Sequence, residues 1–370
     1  MDSEIEQRLT RALAAQRLDA LVGYSKENVA YGIGYMIPSQ ALGVRDRQFA
    51  FAVNADGRAG LLLTANEAEE ARLRSKVDDL RPYDEFTEDP MKVLAQLLRE
   101  LGVDCGRVGI ELDVFPADRW ERLKQLLPDA QFVAGRPAFQ EARVIKTSTE
   151  LESLRAAARI ADLAQLEARA DIHEGMLERD LYRLIVDRAL ANGADSVLLV
   201  QVAAGERSGL SNPAPSNRPL CRGDVVKIDT FVSVNSYLSD TGRWIVIGEA
   251  TDEQRRIWAR MQETMAVLHE AIRPGVVTRD LWQTFVREFA RHDMQPAIRF
   301  LGHGLGLSLH EEPFVAAHSE TVIEEGMVLA IEPIYRQGEI GFHLEDNLIV
   351  TADGVENMTS RLGTELAVVG

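Results

Sequence analysis

Two cysteines, Cys105 and Cys221, are all that the 370 residues contain, and they lie far apart. That excludes a disulfide framework and a CxxC metal site. Positive charge is also scarce: 41 Lys and Arg stand against 58 Asp and Glu, a formal net charge of −17. Such a surface does not attract phosphate backbones or anionic lipid, so neither nucleic acid nor membrane is expected as a partner. No apolar run approaches the roughly 18 residues of a membrane span, and the polar start Met1-Asp2-Ser3-Glu4 lacks a signal-peptide apolar region. The expected location is the cytoplasm. There is no phosphate-binding glycine loop in the first 140 residues, no low-complexity segment and no internal repeat.

What remains is an ordinary globular composition, 46% hydrophobic and 27% charged, in a chain long enough for two domains. Apolar positions at Ile5, Leu9, Leu13 and Ala14 predict an opening helix, and Leu21-Val22 a strand. Residues 49–53 and 60–63 read as strands joined by the turn Asn54-Ala55-Asp56-Gly57. Helical patterns near 66–75, 90–102 and 116–127 then alternate with short strands near 78–81, 107–110 and 131–133, which predicts an α/β domain over 1–136. A junction over 137–149 leads into a second domain, 150–370. There Ser148 is the expected cap of a helix over 148–171, and further helices are expected at 178–191, 252–272 and 278–291. The strands between them predict an α+β arrangement with a mostly antiparallel sheet.

The second domain carries the chemistry. Val225-Val226-Lys227-Ile228-Asp229-Thr230-Phe231-Val232 reads as a buried strand, and Asn235-Ser236-Tyr237 as a turn before Asp240 and the next apolar run, 244–247. Three further ligand-type residues interrupt apolar runs: His303 between glycines, Glu332 after Val328-Leu329-Ala330-Ile331, and Glu345 in Phe342-His343-Leu344-Glu345. One acidic residue at a strand end is ordinarily solvated. Four on buried strands are a large uncompensated charge, which divalent cations would resolve. Oxygen-rich ligation with one imidazole suits Mn²⁺, Co²⁺, Zn²⁺ or Fe²⁺, and two such ions lower the pKa of water enough for hydrolysis near neutrality.

These motifs, with His310-Glu311-Glu312-Pro313 and Ile331-Glu332-Pro333, resemble the pita-bread metallopeptidase family (M24), in its creatinase/prolidase/aminopeptidase P branch. The junction Arg143–Leu151 is similar to that branch as well. The resemblance implies an N-terminal domain of creatinase/prolidase type, a catalytic domain with a curved antiparallel sheet, two divalent metal ions (Mn²⁺ or Co²⁺ foremost) and a homodimer. It implies that Asp229 chelates one ion, that Asp240 and Glu345 bridge both, and that His303 and Glu332 complete one each. Glu332 would be the general base, and His310 would hydrogen-bond the scissile carbonyl. The implied activity is hydrolysis of an Xaa-Pro peptide or a small amide.

Two positions depart from that pattern. Prolidases and aminopeptidases P carry a histidine seventeen residues before the first Asp, where this chain has Asn212. Asn cannot shuttle a proton. Proline-specific relatives commonly carry Arg two residues before the last Glu, where this chain has His343. Both positions are expected to touch substrate, and Arg207, Arg243 and Arg299 are the candidates to replace the lost contacts. The competing reading is a non-peptidase of the same family: a creatinase-like hydrolase of a small amide, or a lyase. Thr230 and Phe231 after Asp229 count against the lyase, which would carry an extra acid there.

Overall fold

The structure is a computed structural model that describes residues 1–44 and 46–370. The chain divides into two compact units, Met1–Arg143 and Val144–Gly370, and the division falls inside the junction read from the sequence.

The first unit is built on a six-stranded sheet. Its strands are β1 (Ala20–Gly23), β2 (Ala50–Asn54), β3 (Ala59–Thr64), β4 (Asp79–Tyr83), β5 (Arg107–Ile110) and β6 (Gln131–Ala134), in the order β4-β3-β2-β1-β5-β6. Only the β1–β2 and β2–β3 pairs are antiparallel, the latter joined by the expected turn, with Gly57 at φ +79°. The opening helix Ser3–Ala15 buries Ile5, Leu9, Ala12 and Leu13, and Asp2 caps it by accepting from the Glu4 and Ile5 amides. Helix Pro90–Glu100 buries Met91, Leu94, Leu97 and Leu98 against β-strand residues such as Val22 and Val108. The buried Glu111 is fully used by the Ser25 amide and hydroxyl and by the Asn28 side chain, so its charge does not mark a site.

The second unit opens with helix Ser148–Ala168. The cap is Thr147, not Ser148: Thr147 Oγ1 accepts from the Glu150 amide, and Glu150 returns the contact to the Thr147 amide at 2.8 Å. This helix and Glu178–Ala191 pack Ala157, Ile160, Ala161, Leu181 and Ile185 onto strand residues including Val200, Val226 and Ile228. Those residues lie on β7 (Ser196–Ala204) and β8 (Val225–Val234). With β9 (Tyr237–Leu238), β10 (Thr241–Ile247) and the terminal β18 (Val368–Val369) they form one five-stranded sheet.

A second sheet of five strands comprises β11 (Phe300–Gly304), β12 (Glu311–Ala316), β13 (Val328–Ile331), β16 (Asp346–Val350) and β17 (Val355–Asn357). Helices Asp252–Ala271 and Thr278–Arg291 cover its outer side, where Met261, Met265, Phe285 and Phe289 meet Leu329, Ile331 and Leu348. A hairpin of β14 (Ile334–Gln337) and β15 (Ile340–His343) completes the unit. The expected curved sheet is thus hydrogen-bonded as two sheets and a hairpin, antiparallel throughout except where β10 meets β18.

Candidate metal centre

Strand alternation aims the site. In β8 the even residues Val226, Ile228 and Val232 go to the helices, which leaves Lys227, Asp229 and Phe231 on the opposite face. Asp229 pairs with Gly242 across the β8–β10 ladder, so Asp240, two residues before Gly242, lies diagonally beside Asp229 on that face. The turn between them is made by Asn235 and Ser236, both at positive φ, and Tyr237 already belongs to β9.

The second sheet follows the same logic. His303 pairs with Ala330, so it shares a face with Glu332 two residues on, while Leu329 and Ile331 point at the helices. Ala330 also pairs with Asn347, which carries Glu345 to the same side. The two sheets are tied where the site needs it. The Asp240 amide donates to Asn347 Oδ1 at 3.0 Å, and the Glu345 amide donates to Gly242 O at 3.0 Å. Gly302 is required here because a side chain on it would collide with the Ala330 carbonyl.

All five expected ligands are brought together and buried: Asp229, Asp240, His303, Glu332 and Glu345 are each at most 7% exposed. His303 Nε2 lies 3.5 Å from Asp240 Oδ2 and 3.6 Å from Glu332 Oε1, and its Nδ1 pairs with the Gly304 carbonyl at 3.0 Å. Burial first, then the neighbouring carboxylates, pushes Glu345 far above the usual carboxylate range. Asp240 is raised in the same way by burial and Glu332. Asp229 is pushed up to about 8 by burial and by Asp240. Asp229 Oδ1, Asp240 Oδ1, both Glu345 oxygens and His303 Nε2 are buried without a hydrogen-bond partner among the described residues. Buried polar atoms are ordinarily satisfied, so this donor set fits divalent cations, with Asp229, Asp240, His303, Glu332 and Glu345 as the side chains that could hold them.

The cluster opens into a cavity of about 630 Å³. Leu199, Phe231, Ile298, Phe300 and Tyr335 are among its walls. His310 is at the opening, stacked on His303 with ring centroids 3.8 Å apart, and burial and then His303 hold its pKa below the ordinary histidine value. Asn212 lines the same cavity and accepts a hydrogen bond from Gln201 Nε2 at 3.1 Å. His343 lines the same cavity at its carboxylate end. It is 3% exposed, with Nε2 3.4 Å from Glu332 Oε2 and 3.4 Å from Glu345 Oε2.

The three arginines expected to replace lost contacts do not line this cavity. Arg207 is committed to the buried Glu178 and the Ala214 carbonyl, and Arg243 to Asp346. Two cations that sequence reasoning passed over do line the cavity, the exposed Arg336 and the buried Lys227. The Lys227 Nζ donates to the Leu210 and Ser211 carbonyls at 2.7 and 3.0 Å, beside Asn212. Its position two residues before Asp229 was the available signal, since alternation puts both on one face.

Residues 152–352 match the model of metallopeptidase family M24, and residues 6–145 match the creatinase/prolidase N-terminal domain. The chain belongs to metallopeptidase family M24. The Xaa-Pro dipeptidase of Pyrococcus furiosus is 35% identical over 226 residues, 60% of this chain and 64% of that protein. The Xaa-Pro dipeptidase of Pyrococcus horikoshii is 32% identical, over 68% of this chain and 72% of that protein. A solved Xaa-Pro dipeptidase from Bacillus anthracis superposes with a TM-score of 0.87 at 25% identity, covering 99% of each chain. The fold of this M24 chain is therefore the pita-bread fold, and the chain is a metal-dependent peptidase.

Proposed function

We propose that this M24 chain hydrolyses the peptide bond before proline in dipeptides or short peptides, using two divalent ions held by Asp229, Asp240, His303, Glu332 and Glu345. The observation that carries the reading is the convergence of these five side chains, with five buried donor atoms left unsatisfied among the described residues. Asp240 and Glu345 lie where the two sheets meet and would be shared between ions. Mn²⁺ or Co²⁺ fits the oxygen-rich set best, with Zn²⁺ and Fe²⁺ also compatible. Divalent ions, when bound, supply Lewis acidity and an acidified water.

The side chains supply the rest. Glu332 exchanges the proton of the attacking water and returns it to the leaving nitrogen. His310, kept neutral by its lowered pKa, donates to the scissile carbonyl oxygen as negative charge develops there. The apolar walls around Phe231 and Phe300 receive the proline ring and exclude water. Cytoplasmic location and a homodimer belong to the same reading.

A second reading, hydrolysis of a small amide other than a peptide, is favoured by Asn212. Neither it nor its partner Gln201 can carry a proton or a positive charge. A substrate panel separates the two. The purified chain loaded with Mn²⁺ or Co²⁺ turns over Xaa-Pro dipeptides faster than non-proline dipeptides and small amides. Turnover of small amides alone sinks the proline assignment.

A further inference from the structure

His343 is the buried group whose placement the reading above does not use. We infer that His343 is a second imidazole ligand of the metal centre, on the ion also held by Asp229 and Glu345. This rests on the proposed dinuclear site, and four observations carry it.

The ligand atoms of Asp229, His343 and Glu345 all lie within 4.8 Å of one another, a grouping parallel to that of His303, Glu332 and Glu345. His343 also repeats the spacing of the expected ligand His303. Its Nε2 is 3.4 Å from two carboxylate oxygens, where His303 Nε2 has 3.5 and 3.6 Å. Those separations are long for charge-assisted hydrogen bonds. They suit neighbours in one coordination shell, since bonds of about 2.1 Å put adjacent ligand atoms roughly 3.0–3.5 Å apart. Both ring nitrogens of His343 are buried with no hydrogen-bond partner among the described residues, as a structural imidazole would not be.

The ring also has a prepared seat. A Cβ on Gly242 would stand 2.6 Å from His343 Cε1 and 2.8 Å from Nδ1. Gly242 is the residue opposite Asp229 in the β8–β10 ladder. The missing side chain thus leaves room for an imidazole beside Asp229, with Nδ1 3.9 Å from Asp229 Oδ2. The arginine of proline-specific relatives brings a fixed positive charge to this position. A neutral imidazole brings a donor nitrogen instead.

X-ray absorption at the cobalt edge of the full chain loaded with Co²⁺, together with calorimetric Co²⁺ titration, tests this without reference to turnover. Two ions per chain with two imidazoles between them, one per cobalt on average, is the expected result. In His343→Gln one ion loses more than about 100-fold in affinity, beyond the 10–100-fold typical of a group that only orients a ligand, and with cobalt in enough excess to fill both sites the imidazole signal per cobalt halves. Gly242→Ala, which displaces the ring while keeping it, gives the same halving. Two bound ions with a single imidazole in the unmodified chain overturns the inference and leaves the dinuclear site standing. No bound cobalt overturns both.

Discussion

Asp240 and Glu345 are buried carboxylates whose neighbours are other carboxylates, and cations are what such an arrangement lacks. Asp240→Asn keeps the shape and removes the charge. It is expected to retain at most one ion in metal analysis and to lose at least about 10³-fold in kcat, about 4 kcal/mol of barrier. His310 is different, because it is exposed: it stacks on His303, and its ring nitrogen lies within 4.8 Å of ligand atoms of Asp240 and His303 from the solvent side of the cluster. His310→Gln is expected to keep both ions and lower kcat about 10²-fold with little change in KM, the pattern of a contact made in the transition state. Loss of metal in that variant would place His310 in the ligand set instead. At this scale much was legible in the sequence. A charged residue interrupting a Val/Ile run, as at Asp229, Glu332 and Glu345, is conspicuous wherever it falls. The seat at Gly242 was not legible, because it exists only where residues far apart in sequence meet across strands.

The segment 205–218, which carries Asn212, is pinned to three elements. Glu178 accepts from the Ser216 amide at 2.9 Å, Ser208 Oγ accepts from the Gly341 amide at 3.0 Å, and Lys227 holds the Leu210 and Ser211 carbonyls. Lys227→Met removes one pin and the ammonium at the cavity wall. Raised KM for carboxylate-bearing dipeptides and faster proteolysis within 205–218 are expected, with metal content unchanged. Unchanged proteolysis would show that Glu178 and Ser208 suffice.

The helix Ser148–Ala168 carries its own pH sensitivity. Asp162 is fully buried on it, with Oδ2 accepting from the Arg361 amide at 2.9 Å and Oδ1 without a partner among the described residues. Burial, only partly offset by Arg243, pushes its pKa up to about 7. Between the unfolded value near 4 and about 7, the folded chain therefore binds the extra proton, so stability falls as pH rises through that window. Asp162→Asn is expected to unfold later than the parent at pH 7.5, by about 1–3 kcal/mol, and to match it near pH 4. Equal differences at both pH values would mean that Asp162 does not titrate there.

The cap of this helix shows why local reading slipped. Thr147 and Ser148 are adjacent and both of capping type, but only Thr147 stands three residues before Glu150, the spacing of a reciprocal cap. The alternation of strands and helices was legible because each element has its own apolar period. The partition of the second unit's strands into two sheets was not, because sheet membership depends on pairing between distant strands.

For the whole molecule, metal and stability are linked through the same carboxylates. Without cations, the raised protonation equilibria of Asp229, Asp240 and Glu345 mean that the folded chain holds protons the unfolded chain has released. Its stability is therefore expected to fall as pH rises from about 4.5 toward 8. Bound ions replace those protons, flatten the dependence, and add about 2.7 kcal/mol per site at a hundredfold excess over Kd. Thermal melts of chelator-treated and Mn²⁺-loaded chain across that range check both effects, and identical slopes would contradict the linkage.

The claim that two ions on these five side chains cut a peptide bond before proline is tested most directly by one paired experiment. Metal content and Xaa-Pro dipeptide turnover are measured on the same preparations of the parent chain and of Asp240→Ala. The expected result is two divalent ions and turnover in the parent, with at least one ion and nearly all turnover lost in the variant. A parent that binds no metal, or a variant that turns over as fast as the parent, would contradict it.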